Sequence, residues 1–454
     1  MSVNVAGRNK GRTTLQNLQL FVVGGLTATV ALAVGMSPSA AQSAPGAGSY
    51  PGSFLIPGTN TSFSVGGYVK LDYFYDFSTA APTVGGVPGG IGSPLDAAFG
   101  HPATAGHGVH GVSQLTASES RFNIQTRTPT AYGEVKTFVE GDFENPNGLS
   151  NSATFTTESN SSGFRLRQAY GTIGNFLAGQ TFSTFHDLNA EPETLDFGGD
   201  NFPGPLRVPQ IRYTYAAGNG LTLVGAIENG TTNFVDATTG TAAGTFNGSI
   251  NASKIPDFIL TGTYTQPWGH VSLRSAFRDL YDHQFGSTGL GTTAAAPNTS
   301  TSAFGYGLAL SGAINTWGKD SLLGQAFGGD GVGRYLSSNC SQSGCPDIYV
   351  NNATNSSETI SAWGVMGGYQ HFWRDDLRSN ISGSYIEFEN DSGFVNAVAF
   401  TTLNKHYITG HANLIWSPVP AVDTGVEFIY TEREIEDGQT GNAMRFQYTA
   451  KWKF

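Results

Sequence analysis

The sequence predicts an all-β protein, a single closed antiparallel transmembrane barrel of about sixteen strands, and three observations predict it. Gly supplies 61 of 454 residues and charged residues only 13%, against typical shares of about 7% and about 25%. Segments of about 8 to 15 residues alternate apolar and polar side chains in period two, the signature of a strand with two different faces. The connections between these segments take turns, one long and the next tight, as in an outer-membrane barrel with long extracellular loops and short periplasmic turns.

Residues 1–41 read as a signal peptide. Arg8, Lys10 and Arg12 precede an apolar run from about Leu20 to Val34, and Ser39-Ala40-Ala41 gives a small-x-small cleavage pattern. The run is short of the roughly 20 residues a spanning helix needs and is broken by Gly24, Gly25 and Thr27. Removing this leader takes the formal charge from -11 to -14, which disfavours nucleic acid as a partner. Residues 42–63 are rich in Pro, Gly and Ser without periodicity and form an irregular lead-in, leaving 64–454 for the barrel.

The last segment is the clearest strand. Met444, Phe446, Tyr448, Ala450, Trp452 and Phe454 share one face, and Arg445, Gln447, Thr449, Lys451 and Lys453 share the other. The same division sets Val65, Val69, Leu71, Tyr73, Tyr75 and Phe77 against Ser64, Lys70, Asp72 and Asp76. It sets Val135, Thr137, Val139 and Phe143 against Glu134, Lys136, Glu140 and Asp142, and Val422, Val426, Phe428 and Tyr430 against Asp423 and Glu427. Candidate strands start near 64, 118, 131, 163, 176, 207, 220, 254, 268, 302, 320, 358, 377, 403, 420 and 441. The mean hydropathy of -0.17 is compatible with a membrane, because only the lipid-facing half of each strand must be apolar.

Tight turns fall at 128–131, 174–175, 218–220, 266–269, 317–319, 373–376 and 418–420, with the Gly, Pro, Asn and Asp such turns need. Long loops cover roughly 78–117, 145–162, 184–206, 231–253, 280–301, 329–357 and 390–402, with a shorter one near 436–440. Trp268, Trp317, Trp373 and Trp416 sit at or beside tight turns, where an interfacial aromatic girdle belongs. Closure has a physical cause, since an open sheet edge in hydrocarbon leaves backbone groups unpaired at several kcal/mol each.

Cys340 and Cys345 lie in a Ser/Gly/Asn-rich stretch of an exported chain, where a disulfide closing a small loop is expected. His101, His107 and His110 lie in a Gly-rich loop that does not fix metal geometry. No nucleophile elbow, zinc-binding helix or phosphate loop occurs, so neither an enzyme nor a cofactor or metal is expected.

Several stretches resemble the dicarboxylic-acid porin (DcaP-like) family of trimeric outer-membrane channels. They are 67–72 (GYVKLD), 120–122 (SRF), 136–143 (KTFVEGDF), 166–171 (LRQAYG), 177–185 (LAGQTFSTF), 192–197 (PETLDF) and 209–213 (PQIRY). Beyond about residue 230 the likeness is general barrel texture plus the terminal Phe454. The family's coiled-coil extension is not matched by the Pro/Gly-rich lead-in. The resemblance implies sixteen strands, a homotrimer in the outer membrane of a Gram-negative envelope, and a third extracellular loop folded into the lumen. Chain order puts Asp187 to Leu206 in that position.

A passive channel needs a waist and a sorting field rather than a catalytic group. Strand register makes Lys70, Arg121, Arg127, Arg165, Arg167, Arg212, Arg274 and Arg278 the expected pore-lining basic residues. Asp187, Glu191, Glu193, Asp196 and Asp200 are the expected acidic residues of the constriction loop, forming the opposite wall of a transverse field. With the resemblance, this implies passage of small polar solutes with a preference for small anions or dicarboxylates. Cross-strand ion pairing of these charges is the simpler reading of the same residues. The alternative function is a barrel-borne adhesin or receptor acting through its long loops.

Overall fold

The structure, a computed structural model, describes residues 46–78, 111–145, 163–200, 202–204, 206–237, 249–250, 253–284, 299–336, 345–351, 354–401 and 403–454. The leader 1–41, the three loop histidines and Cys340 lie outside these residues. Sixteen strands form the barrel. The first eight are β1 (Ser62–Ser78), β2 (Arg121–Thr130), β3 (Gly133–Asn145), β4 (Gly163–Ile173), β5 (Phe176–Phe182), β6 (Arg207–Gly218), β7 (Leu221–Glu228) and β8 (Asp257–Gln266). The rest are β9 (Gly269–Gln284), β10 (Thr299–Asn315), β11 (Ser321–Asp330), β12 (Ser361–Arg374), β13 (Leu377–Glu389), β14 (Asn404–Val419), β15 (Val422–Ile435) and β16 (Thr440–Lys453).

Each strand pairs antiparallel with the next. β16 closes the circle on β1, with Tyr68 opposite Lys453 and Asp76 opposite Arg445. Strand starts fall within three residues of the sequence expectation. One difference lies in the first long connection, where a short strand Val112–Thr116 pairs with the upper part of β1 above β2. The break between them, at Ala117–Ser120, turns Glu119 inward onto Lys70.

Alternation holds around the wall. Val65, Val69, Leu71 and Phe77 are exposed on the outer face, while Lys70, Asp72 and Asp76 are buried inside. Trp268, Trp317, Trp373 and Trp416 are exposed at the tight-turn end, as an interfacial girdle requires. Positive φ at Gly218, Asn219 and Gly220 shapes the turn between β6 and β7.

The lumen is filled on one side. Phe185 and Phe202 of the third loop pack with Phe327, Ala309, Met366, Ile386 and Phe388 of the wall and with Val332, Tyr335 and Leu336 of a later loop into one buried apolar core. Above it, strands Phe234–Asp236, Ile348–Asn351 and Ser356–Thr359 make a separate small sheet, and a helical turn Gly333–Leu336 packs beside it. Cys345 is buried there and disulfide-bonded.

Lumen-facing glycines make the space for this filling. A Cβ at Gly364 on β12 would stand 2.6 Å from the Phe202 ring, and one at Gly307 on β10 would stand 2.9 Å from Val332. Gly in a strand interior marks such close approach.

Candidate functional site

The third loop, between β5 and β6, crosses the lumen and is fastened along its length. Its base closes through Ser183 N–H to Leu206 O at 2.8 Å, and Glu228 accepts from the Thr184 backbone and the Ser183 hydroxyl. The Asp187 carboxylate meets Arg274 at 2.9 Å and His270 at 3.0 Å and accepts from Ser311 at 2.6 Å. Glu193 is gripped bidentately by Arg378 at 2.5 Å, the planar fork geometry that favours Arg over Lys.

The tip is the most firmly held part. Glu427 accepts from the backbone N–H groups of Leu195 at 2.8 Å and Asp196 at 3.0 Å, and Lys70 and Gln447 both donate to Leu195 O. His411 is buried between Glu427, at 3.1 Å, and Asp200, at 4.0 Å. Burial pushes the Asp196 carboxyl up to about 6, against the pull of His411 and Arg445. Burial likewise raises Asp200. At Asp187 burial pushes the same way, but Arg274 and Ser311 more than offset it and hold that carboxyl low.

The acidic wall therefore stands the other way from the sequence expectation. Asp187, Glu193 and Asp200 face donors on β9, β13 and β14, while the Asp196 carboxylate accepts from the Gly198 N–H within the loop and feels His411 and Arg445; among the described residues none of the four pairs with the arginines of β2 to β6, because a buried carboxylate must find partners on the wall its loop packs against. Glu191 bonds His186 within the loop. Lys70, Arg274 and Arg278 point inward as register requires but do not line open space. Lys70 is bound by Glu119, Asp72 and Leu195 O, and Arg274 by Asp187. Arg278 is fully buried between Asp257 at 3.1 Å and Asp347 at 2.6 Å. The reason is shared: the third loop and the later loops lie over them.

Part of the polar wall on β2 to β6 stays accessible, with Arg165 30% and Arg121 18% exposed while Arg167 is buried behind them. Arg165 binds Asp142 bidentately at 2.9 and 3.0 Å, and Arg167 reaches Glu140 at 3.0 Å and Asp142 at 2.7 Å. Arg121 stands 3.8 Å from Glu140. Each arginine also stacks on a ring. Arg165 and Arg167 lie 5.1 and 5.4 Å from Phe197 of the loop, Arg121 lies 5.2 Å from Tyr68, and Arg207 lies 5.4 Å from Phe182. These contacts fix the guanidinium planes. Arg207 stands in the combined positive field of Arg167, Arg165 and Arg121, and among the described residues no carboxylate is within ion-pair distance of it. Three arginines thus share the two carboxylates Glu140 and Asp142, and Arg207 adds its charge beside them.

Phe197, Arg207 and Gln168 escape the sequence reading. Arg207 has the parity of the lipid-facing Ile211, but it is the first residue of its strand and turns inward there. Gln168 reaches Glu140 because the pairing of β3 with β4 shifts register beside Glu140, setting Arg167 and Gln168 both inward. A bulge re-aims side chains in this way without a residue signature of its own.

A family model described as a porin subfamily, Porin_2, matches residues 49–453. Porin Omp2b of Brucella suis is 27% identical over 224 residues, 49% of this chain and 52% of that protein. The chain thus spans about half the length of the curated relatives it matches. Among solved structures, the outer membrane channel DcaP of Acinetobacter baumannii aligns over 90% of this chain and 100% of its own, with TM-score 0.69 and 22% identity. An anion-selective porin from Comamonas acidovorans aligns over 87% and 100%, with TM-score 0.51 and 12% identity. These last two likenesses concern the fold.

Proposed function

The chain belongs to the porin subfamily Porin_2 and is an outer-membrane β-barrel, and from that premise we propose that it is a passive channel for small hydrophilic solutes favouring small anions. The carrying observation is the imbalance on β2 to β6, where Arg121, Arg165, Arg167 and Arg207 surround only Glu140 and Asp142. Asp187, Glu193 and Asp200, engaged with β9, β13 and β14, leave this positive field uncancelled. Solutes would pass along the crescent between the loop and β1 to β6, where a guanidinium held flat by an aromatic ring still offers edge N–H groups to a carboxylate.

The overall formal charge of -11 does not decide selectivity, because a pore sorts ions by the field at its waist. Export through a leader ending at Ala41 and assembly as a homotrimer belong to the same reading. Replacing both Arg165 and Arg167 by Ala should lower the anion-to-cation permeability ratio in planar bilayers; an unchanged reversal potential would remove the anion preference. A protein that inserts but passes no current would instead favour the loop-borne adhesin or receptor.

A further inference from the structure

Below the arginines at the waist lies a second basic row that the waist chemistry does not use. Pairing runs from Arg127 on β2 to Lys136 on β3, to Thr172 on β4, to Leu177 on β5 and to Arg212 on β6, one continuous hydrogen-bonded level across five strands. Arg127 is six residues beyond Arg121 on β2, so the two levels are about 20 Å apart along the strand at about 3.3 Å per residue. The row is nearer the tight-turn end, the periplasmic side of such a barrel.

Its charges are poorly matched. Lys136 Nζ lies 5.8 Å from the Tyr170 ring, and Arg212 acts on the same tyrosine from the other side. Lys136 also feels the positive charge of Arg127. The acids facing the row are Glu134, 3.7 Å from Arg127 and half exposed, and Glu228, which acts on Arg212 while bonded to Ser183 and Thr184. Among the described residues neither Lys136 nor Arg212 has a carboxylate within ion-pair distance.

A ring from outside the barrel strands completes the site. The lead-in segment before β1 pairs Phe54–Leu55 with Phe63 and Ser62, and Ser49 N–H donates to Ser62 Oγ at 2.8 Å. This carries Tyr50 onto the inner wall. Its ring centre lies 4.5 Å from the Arg127 guanidinium, and its hydroxyl is 3.0 Å from both Ser64 Oγ and Gln125 O. The Gln125 amide oxygen, in the orientation its neighbours require, takes Arg127 Nε at 2.9 Å. Arg127 is thus a fixed, ring-backed charge, and Lys136 and Arg212 are the two cations left for a solute.

We propose that Lys136, Arg212 and the Tyr50-backed Arg127 form a second station for small carboxylate-bearing anions near the periplasmic exit, and that Tyr50 sets how long a solute stays there. The proposal deepens the anion preference given above and rests on it. Two stations joined by one lane suit conduction, which requires sites strong enough to fill and weak enough to leave.

Single-channel recording of oriented protein with succinate as the probe, added to one side at a time, tests it. Lys136→Gln with Arg212→Gln should shorten current blocks by periplasmic-side succinate at least threefold and leave extracellular-side blocks within twofold. Arg165→Gln with Arg167→Gln should do the reverse. Tyr50→Ala should shorten periplasmic-side blocks, and Tyr50→Phe, which keeps the ring, should retain at least half their length. Periplasmic-side blocks unchanged in the Lys136/Arg212 variant, with extracellular-side blocks altered in the Arg165/Arg167 variant, would overturn the second station alone. Blocks unchanged in both would overturn the anion reading as well.

Discussion

Arg278 and Arg165 both point into the same barrel, each held by carboxylates, and they live in different solvents. Arg278 on β9 is sealed between Asp257 and Asp347, beneath the Tyr335 ring and beside the backbone carbonyls of Gly331 and Thr231. Arg165 on β4 keeps 30% of its side chain exposed although Asp142 holds it bidentately. What separates them is the cover. The third and later loops convert one side of the lumen into a protein interior with its own apolar core, and leave the other side wet. A porin wall of uniform alternation thus yields two functional halves, one for holding the constriction and one for passing solute.

Removing each arginine in turn should separate the two halves most widely. Arg278→Ala leaves Asp347 buried without its cation and Asp257 with only Arg334 at 3.8 Å, a loss of about 3–5 kcal/mol for a severed buried pair. Arg165→Ala should cost markedly less, because Arg165 is 30% exposed and the buried Asp142 retains Arg167 at 2.7 Å. Thermal unfolding followed by the gel-mobility shift of the folded barrel reads both. Equal losses would contradict the division into filled and open halves.

Packing between wall and loop gives a smaller effect. Gly364→Val introduces a side chain where even a Cβ stands 2.6 Å from Phe202, an overpacking expected to cost about 1–3 kcal/mol. Since Phe202 belongs to the third loop, the strain should also push the loop toward the open half and lower single-channel conductance. Gly367→Val, on the outer parity of the same strand with nothing within 4 Å of its Cβ, should leave conductance at the parental value.

How much of this could be read beforehand follows from where each signal resides. Strand positions were legible because lipid on one face and lumen on the other stamp a period-two pattern on residues such as Met444 to Phe454. Turn positions were legible because tight reversals demand particular residues, as at Gly218-Asn219-Gly220. Inward direction was likewise legible for Lys70, Arg274 and Arg278. Their burial was not, because it is imposed by segments distant in sequence: Leu195 O lies 125 residues from Lys70. The inward glycines at 307 and 364 do carry a trace of that packing, as positions where the wall gives up side-chain volume to something laid against it.

Titration distinguishes the halves more weakly. Burial holds Asp196 up at about 6 at the loop tip, so this carboxyl takes up a proton as pH falls from 7 to 5.5. A folded-state value raised above the ordinary carboxylate value means that the group's contribution to seating the loop is complete below that ordinary value and is lost as pH rises through about 6. Mild acid should therefore keep the tip seated on Glu427 and Lys70 while removing one negative charge from the lumen. The open half responds differently, since its guanidinium groups stay charged throughout. Reversal potentials at pH 7 and 5.5 should accordingly shift modestly toward anions in the parent protein and stay fixed in Asp196→Asn. A shift that survives Asp196→Asn would assign the titration to another group, the raised Asp200 carboxyl of the same loop included.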